Sequence, residues 1–247
     1  MRGLVFCLFA LRLRRLVCHE RITVSRHCHW FCAFVLCWGL LGTAMQTFSE
    51  NTTVRLGNSH VLVRSASLQD APTLADILTV GFYSQTGVWG LIYPLVRLGI
   101  YEDLRQRLRG HTPYYVCLAA TLRTHYRSGG VGKWGPEQIA GTVEMSQRTP
   151  SPWESRGGPY LYVSNLAVKP TFRRCGVASQ LLLACDRVAW RWGFTDIYLH
   201  VLEENQSARA LYEKIGYQLA GMDFSPRLLC FQPPRRLLLR KRIRGEG

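Results

Sequence analysis

The chain has 247 residues, 47% of them hydrophobic and 19% charged, a balance ordinary for a globular protein and foreign to a disordered one. Its formal net charge of +15 favours anionic ligands, whether a polyanionic coenzyme, nucleic acid or an acidic membrane. The four cysteines beyond residue 44 (Cys117, Cys175, Cys185, Cys230) show no paired spacing, which points to reduced thiols in an intracellular protein rather than a disulfide framework.

Residues 1–44 differ from the rest. They hold six Arg, no Lys, one acid (Glu20) and five of the nine cysteines. His27, Cys28, His29 and Cys32 have no second ligand pair at a usable spacing, so no metal site is expected. No charged residue separates His27 from Glu50, and Trp30 to Met45 is mostly apolar. Three readings stay open for this extension: a start extended upstream of Met45, an Arg-rich organelle transit peptide, or a membrane anchor over residues 30–45. A signal-anchor orientation would export the following domain, which counts against the anchor.

A polar lead over 45–56 is followed by a strand at His60–Arg64. Ser67 offers an N-cap, with Asp70 and Pro72 behind it, for a helix to Phe82 carrying Leu74, Ile77 and Leu78 on one face. Two segments, Trp89–Gly99 and Ile100–Arg109, come next; Tyr101, Leu104 and Leu108 share a face of the second. Strands are predicted at Tyr114–Leu122, Ile139–Met145 and Tyr160–Val168, separated by loops over 123–138 and 150–159.

Arg173-Arg174-Cys175-Gly176-Val177-Ala178 then joins the fourth strand to a helix over Ser179–Trp192. Glycine lets a backbone approach a ligand closely, and the first N–H groups of a helix lack intrahelical acceptors. Such a junction suits phosphate. A strand over Asp196–Leu202, a helix over Asn205–Ile215 and strands over Tyr217–Phe224 and Arg236–Arg240 close the domain, placed at 57–243. The basic residues Arg235, Arg236, Arg240, Lys241, Arg242 and Arg244 flank Leu237 to Leu239, as in a core strand with charged ends, and no nucleic-acid partner is expected.

Three pieces in register carry a resemblance: Asn165-Leu-Ala-Val168-Lys-Pro170, the Arg173–Ala178 loop, and Asn205-x-x-Ala208-x-x-Leu211-Tyr212-Glu213-Lys214-x-Gly216-Tyr217. Together with the element order they resemble the GNAT superfamily of acetyl-coenzyme A-dependent N-acetyltransferases. The stretch from Gln85-Thr-Gly-Val-Trp89 to Arg105 is similar to members from cyanobacteria and plastids. The resemblance implies an α/β fold with a mixed, mostly antiparallel twisted sheet of about seven strands and about four helices. Its fourth and fifth strands would splay apart at the cofactor site.

The resemblance also implies roles. The loop Arg173, Arg174, Cys175, Gly176, Val177, Ala178 and Ser179 would meet the pyrophosphate, with Cys175 a filler and not a nucleophile. Leu166, Ala167 and Val168 would pair with the pantetheine arm and Asn205 would hold the cofactor near the next helix. Tyr212 would be the general acid to the departing thiolate, its alternative a tyrosine packed on the sheet. His200 would be the base, its alternative a partly buried strand histidine. Glu144, an acid in an apolar strand, is the other candidate base, its alternative a solvent-facing residue.

The function this implies is acetyl transfer to a primary amine, on a protein N-terminus or a lysine, with small arylalkylamines as a second acceptor class. A non-catalytic acetyl-coenzyme A-binding module is the alternative from outside enzymology. Trp89, Tyr93 and Tyr101 would suit an aromatic amine or a core equally. The cytoplasm is the expected location, or the plastid stroma if the extension is a transit peptide.

Overall fold

The computed structural model describes residues 52–56, 59–82, 88–110, 112–128, 131–150, 158–222 and 235–243. The His27–Cys32 cluster, the apolar run 30–45, Cys230 and Arg244 lie outside the described residues. Among the described residues, nine strands form one sheet: β1 (Thr52–Leu56), β2 (Ser59–Ser65), β3 (Tyr115–Ser128), β4 (Val131–Trp134), β5 (Gln138–Arg148), β6 (Tyr160–Val168), β7 (Asp196–Leu202), β8 (Gln218–Met222) and β9 (Arg236–Arg242). Four α-helices accompany them there: α1 (Ala71–Phe82), α2 (Val88–Arg109), α3 (Val177–Arg191) and α4 (Gln206–Ile215).

The strand order is β1-β2-β3-β5-β6-β7-β9-β8, with β4 paired to β3. Every pairing is antiparallel except β6 with β7. The mixed, mostly antiparallel sheet agrees with expectation, but two strands were missed. Thr52–Leu56 falls in the expected polar lead and Val131–Trp134 in the expected 123–138 loop. Both are edge pieces held by backbone pairing with β2 and β3, and none of their described side chains (Thr53, Val54, Arg55, Lys133, Trp134) is buried.

Other boundaries also shift. Ser67 is not a cap: its N–H and hydroxyl both donate to the Asp70 carboxylate, and the helix begins at Ala71. The two segments expected over 89–109 are one helix that carries Pro94 inside it. Helix α3 begins at Val177 instead of Ser179.

The sheet buries two unlike faces. On one, Val116, Leu118, Val143, Met145, Leu161, Val163, Ile197 and Leu199 pack against Val177, Leu181, Cys185 and Val188 of α3, with Tyr212 of α4 in the same core. On the other, Cys117, Ala119 and Ala167 meet Leu74, Ile77 and Leu78 of α1 and Leu104 of α2. Further along that second face a small aromatic group, Tyr162 and Tyr198 with Leu238, forms its own cluster. Strand alternation sends neighbouring side chains to opposite faces, so a single strand contributes to both. The basic strand β9 is a core strand as expected: Leu237 to Leu239 are buried, Arg240 pairs with Asp196 and Lys241 with Asp186.

Candidate active site

Two irregularities in β6 make the site. Thr142 pairs with Ala167 and Glu144 with Ser164, so Asn165 and Leu166 together oppose Val143. That is a β-bulge, and its residue Asn165 has φ +53°, a left-handed conformation that Asn tolerates better than most side chains. Before the bulge, Leu161 and Tyr162 pair with Ile197 and Tyr198 of β7; beyond Tyr162 the two strands share no further pairs. The main chain of β6 from Ser164 to Val168 is therefore without a β7 partner, and a wedge opens between the strands. The expected splay lies here.

At the narrowing end of β6 the chain crosses very close to β5. A Cβ on Gly141 would stand 2.8 Å from the Ala167 carbonyl oxygen and 3.2 Å from both Val168 and Val177, so only glycine fits. A short 3-10 turn over Pro170–Phe172 leads into the loop. Arg174 (φ +63°) and Gly176 (φ +76°) are both left-handed, which turns successive backbone N–H groups toward one side and ends on the open N-terminus of α3. No side chain caps that terminus. Arg173 donates from Nε to the Val168 carbonyl at 3.3 Å, tying the loop to the strand end, and Arg173, Arg174 and Cys175 are exposed. Val177 is buried in the core while Ala178 and Ser179 are partly covered. A basic, uncapped, nest-like loop fits a pyrophosphate.

Leu166 and Val168 pack on the α3 side and Ala167 on the α1 side, where Gly81 of α1 lies against it. Asn205 caps α4, its Oδ1 accepting from the Ala208 N–H at 3.1 Å. That carbonyl is spent on the helix, and its cofactor role rests on the resemblance alone.

Tyr212 is 8% exposed and lies with its ring centroid 5.7 Å from that of Tyr217. Burial, and then the neighbouring Tyr162, push its phenol up to about 12. It is a firmly protonated group at neutral pH. His200 lies on the opposite face of the sheet, with Tyr162 and Tyr198; its Nδ1 is 2.8 Å from the Tyr162 hydroxyl. Arg148 stacks on the same Tyr162 ring, its guanidinium carbon 3.5 Å from the centroid. Tyr162 thus touches His200 directly.

Glu144 is not the solvent-facing residue offered as its alternative. It is 1% exposed, and every carboxylate oxygen is engaged. Oε2 accepts from Arg107 Nη1 at 2.5 Å and from the Tyr115 hydroxyl at 3.0 Å; Oε1 accepts from Asn165 Nδ2 at 2.9 Å. Arg107 also binds Asp103 one turn back on α2. Burial and the Glu144 charge raise the Tyr115 phenol, and burial pushes the nearby Cys117 thiol up to about 12. Neither is an available base or nucleophile.

Tyr162, Arg148, Arg107, Asn165, Tyr115 and Gly141 received no role from the sequence. Gly141 had a local signal, a glycine inside an apolar strand. Arg107 had a weaker one, since a buried acid such as Glu144 requires a cation from somewhere.

Among the described residues no cluster of three or more metal-ligating side chains occurs, and no helix is long and apolar enough to cross a membrane.

Residues 99–217 match the sequence profile of the acetyltransferase (GNAT) family. The chain is 34% identical over 109 residues to GCN5-related N-acetyltransferase 7, chloroplastic, of Arabidopsis thaliana, covering 43% of this chain and 36% of that protein. It is also 34% identical over 150 residues to GCN5-related N-acetyltransferase 10, chloroplastic, of the same plant, covering 58% and 56%. The chain thus spans about a third to a half of the length of these curated relatives. Among solved structures, Arabidopsis thaliana NAA60 in complex with a bisubstrate analogue superposes with a TM-score of 0.52 at 20% identity, over 74% of this chain and 99% of that one, a likeness of fold.

Proposed function

We propose, from the premise that this chain belongs to the GNAT acetyltransferase family, that it transfers the acetyl group of acetyl-coenzyme A to a primary amine on a protein N-terminus or a lysine side chain. The observation that carries the reading is the Tyr162–His200 hydrogen bond, 2.8 Å long, at the point where β6 leaves β7. Bound acetyl-coenzyme A supplies an activated acetyl thioester. The backbone of Arg173 to Ser179 would hold its pyrophosphate, with Leu166 to Val168 along the pantetheine arm and Asn205 beside it.

An amine must shed a proton to attack. Tyr162 Oη takes that proton while passing its own to His200 Nδ1, 2.8 Å away, so the imidazole ends as the cation. Histidine suits this step because its ordinary pKa of ~6.5 leaves it neutral at working pH. Main-chain donors of the unpaired β6 stretch polarise the thioester carbonyl, the preorganised electrostatic contribution common to acyl transfer. Tyr212, kept protonated by burial, returns a proton to the departing sulfur. Glu144 is a poor second base, since it is buried and both of its oxygens are already taken by Arg107, Tyr115 and Asn165.

His200→Ala is expected to lower kcat by about 10²–10⁴ with acetyl-coenzyme A affinity unchanged, and Tyr212→Phe to lower kcat more than affinity. Wild-type turnover in His200→Ala removes the pair from the mechanism. The acceptor is settled by assaying peptides with a free α-amine, peptides with a blocked N-terminus and a free lysine, and arylalkylamines side by side. A response only to arylalkylamines overturns the protein-acceptor reading; binding without turnover on any amine favours the non-catalytic module. The chloroplastic relatives support a plastid location through a transit peptide in residues 1–44, which sequencing the N-terminus of the mature protein tests.

A further inference from the structure

We infer that Glu144, Asn165 and Arg107 form a latch that sets the β6 bulge and so positions the strand end for acetyl transfer. The inference rests on the proposed acetyltransferase reading and assigns Glu144 a task other than base. The geometry runs from α2 to the wedge through two bonds. Arg107 projects from the last turns of α2 and grips Glu144 Oε2; Glu144 Oε1 accepts the side-chain amide of Asn165. Asn165 is itself the left-handed bulge residue, and Leu166 follows it.

Each part of the latch has a cost that only this use offsets. A carboxylate fully removed from water is expensive unless its oxygens are paired, and Glu144 has three donors for that purpose. A left-handed non-glycine residue inside a strand is strained. The Asn165 amide ties that left-handed backbone to Glu144 Oε1 at 2.9 Å and so fixes its orientation. Beyond Tyr162, β7 no longer holds β6 in place. The latch replaces the missing ladder: it fixes from the β5 side what β7 does not fix from the other. Tyr115 adds a third donor from β3, so the carboxylate ties α2, β3 and β6 to β5 at one point.

The consequence is a coupling between α2 and the main chain of β6 proposed to polarise the thioester. Displacing the reacting groups by about 1 Å can cost about 10²-fold in rate.

The test compares Glu144→Gln, Asn165→Gly and the double variant with the wild-type chain. Asn165→Gly adopts a positive φ without strain, so it removes the amide while keeping the bulge permissible and the fold intact. The expected result is a roughly tenfold to 10²-fold loss in kcat/KM for acetyl-coenzyme A in each single variant, a double variant no worse than the weaker single one, and a kcat/KM–pH profile with the wild-type apparent pKa in all three. Wild-type kinetics in Asn165→Gly overturns the latch. So does a Glu144→Gln profile that loses its basic dependence on pH, since Glu144 would then be the base. Coenzyme A affinity, measured by calorimetry on the same proteins, keeps the two readings apart: a wild-type chain that fails to bind sinks the acetyltransferase reading, whereas normal wild-type turnover with unaffected variants sinks the latch alone.

Discussion

The two faces of the sheet are made from the same strands and obey different rules. Val143 and Glu144 are neighbours in β5, as are Leu161 and Tyr162 in β6 and Leu199 and His200 in β7. The first of each pair enters the apolar core under α3 and α4; the second enters the other side, where beside a smaller apolar cluster Glu144 is hydrogen-bonded to Tyr115 and Asn165, and Tyr162 to His200. The apolar face supplies stability that needs no direction. The polar face supplies direction, and its buried groups are tolerable only because they are paired. The wedge between the strands opens beyond Tyr162, the last residue of β6 paired with β7.

The comparison breaks hardest at Arg107. Arg107→Ala leaves Glu144 buried with no cation and Asp103 without its partner, so unfolding free energy should fall by about 3–5 kcal/mol. Urea denaturation followed by circular dichroism measures it. On the apolar face the matching change is Leu161→Ala, fully buried under α3, expected to cost about 2–5 kcal/mol through lost transfer energy and a cavity. The two losses should differ in kind: that of Arg107→Ala should shrink when Glu144→Leu is added, and that of Leu161→Ala should not. Equal behaviour of both variants in that background would mean that the polar face is no more interdependent than the apolar one.

A smaller effect is expected where the faces are pinned together. Gly141→Ala forces a Cβ to within 2.8 Å of the Ala167 carbonyl, and β6 must move away from β5. A cost of about 1–3 kcal/mol follows from the overpacking alone. Coenzyme A affinity should weaken as well, because Val168 and Val177, which flank the loop, are the other contacts. Unchanged affinity with lowered stability would separate the strand crossing from the loop.

Legibility in the sequence follows the same division. The apolar patterning of both faces was readable: the runs Tyr160–Val168 and Asp196–Leu202 place the strands under α3, and the helical spacing of Leu74, Ile77 and Leu78 places α1 on the other face. The Arg173–Ala178 loop was readable because it is local, a turn and a helix start within six residues. The Glu144 latch was not, since Arg107 and Glu144 are 37 positions apart and Asn165 another 21, and no periodicity connects them. Glu144 stood out as an anomaly in an apolar strand, but its burial depends on α2 arriving with an arginine. Tyr162 was hidden for a different reason: an aromatic in a strand is ordinary, and only its register with β7 reveals His200. The strands β1 and β4 were missed because edge pairing leaves so little apolar patterning.

Two carboxylates sharpen the contrast at its smallest scale, and they differ in sign. Asp70, beside α1, receives both Arg64 guanidinium nitrogens at 2.7 and 2.9 Å and two donors from Ser67. Burial acts to raise its pKa, yet these bonds outweigh it and hold the carboxyl below its ordinary value of 3.8. Asp186, on α3, has one bond from Lys241 at 2.5 Å, while its Oδ1 is buried with no partner among the described residues. There burial wins over Lys241, and the pKa lies above 3.8. Asp70 has a depressed folded value, so its contribution is present above pH 3.8 and is lost as pH falls through that depressed value. Asp186 has a raised one; stability is fully present below pH 3.8 and declines as pH rises through the raised value, so its ionised form is a burden at neutral pH. Asp70→Asn should therefore cost roughly 1–2 kcal/mol at pH 7 and flatten the acid limb of the stability curve. Asp186→Asn keeps an oxygen for Lys241 and removes the burden, so stability at pH 7 should hold or rise slightly, with its slope between pH 4 and 7 shifted in the opposite sense. Thermal melts of both variants across that range decide it. A loss at pH 7 in Asp186→Asn as large as that in Asp70→Asn would mean that the α3 side pairs its charges as fully as the α1 side does, and the distinction between the faces would rest on the latch alone.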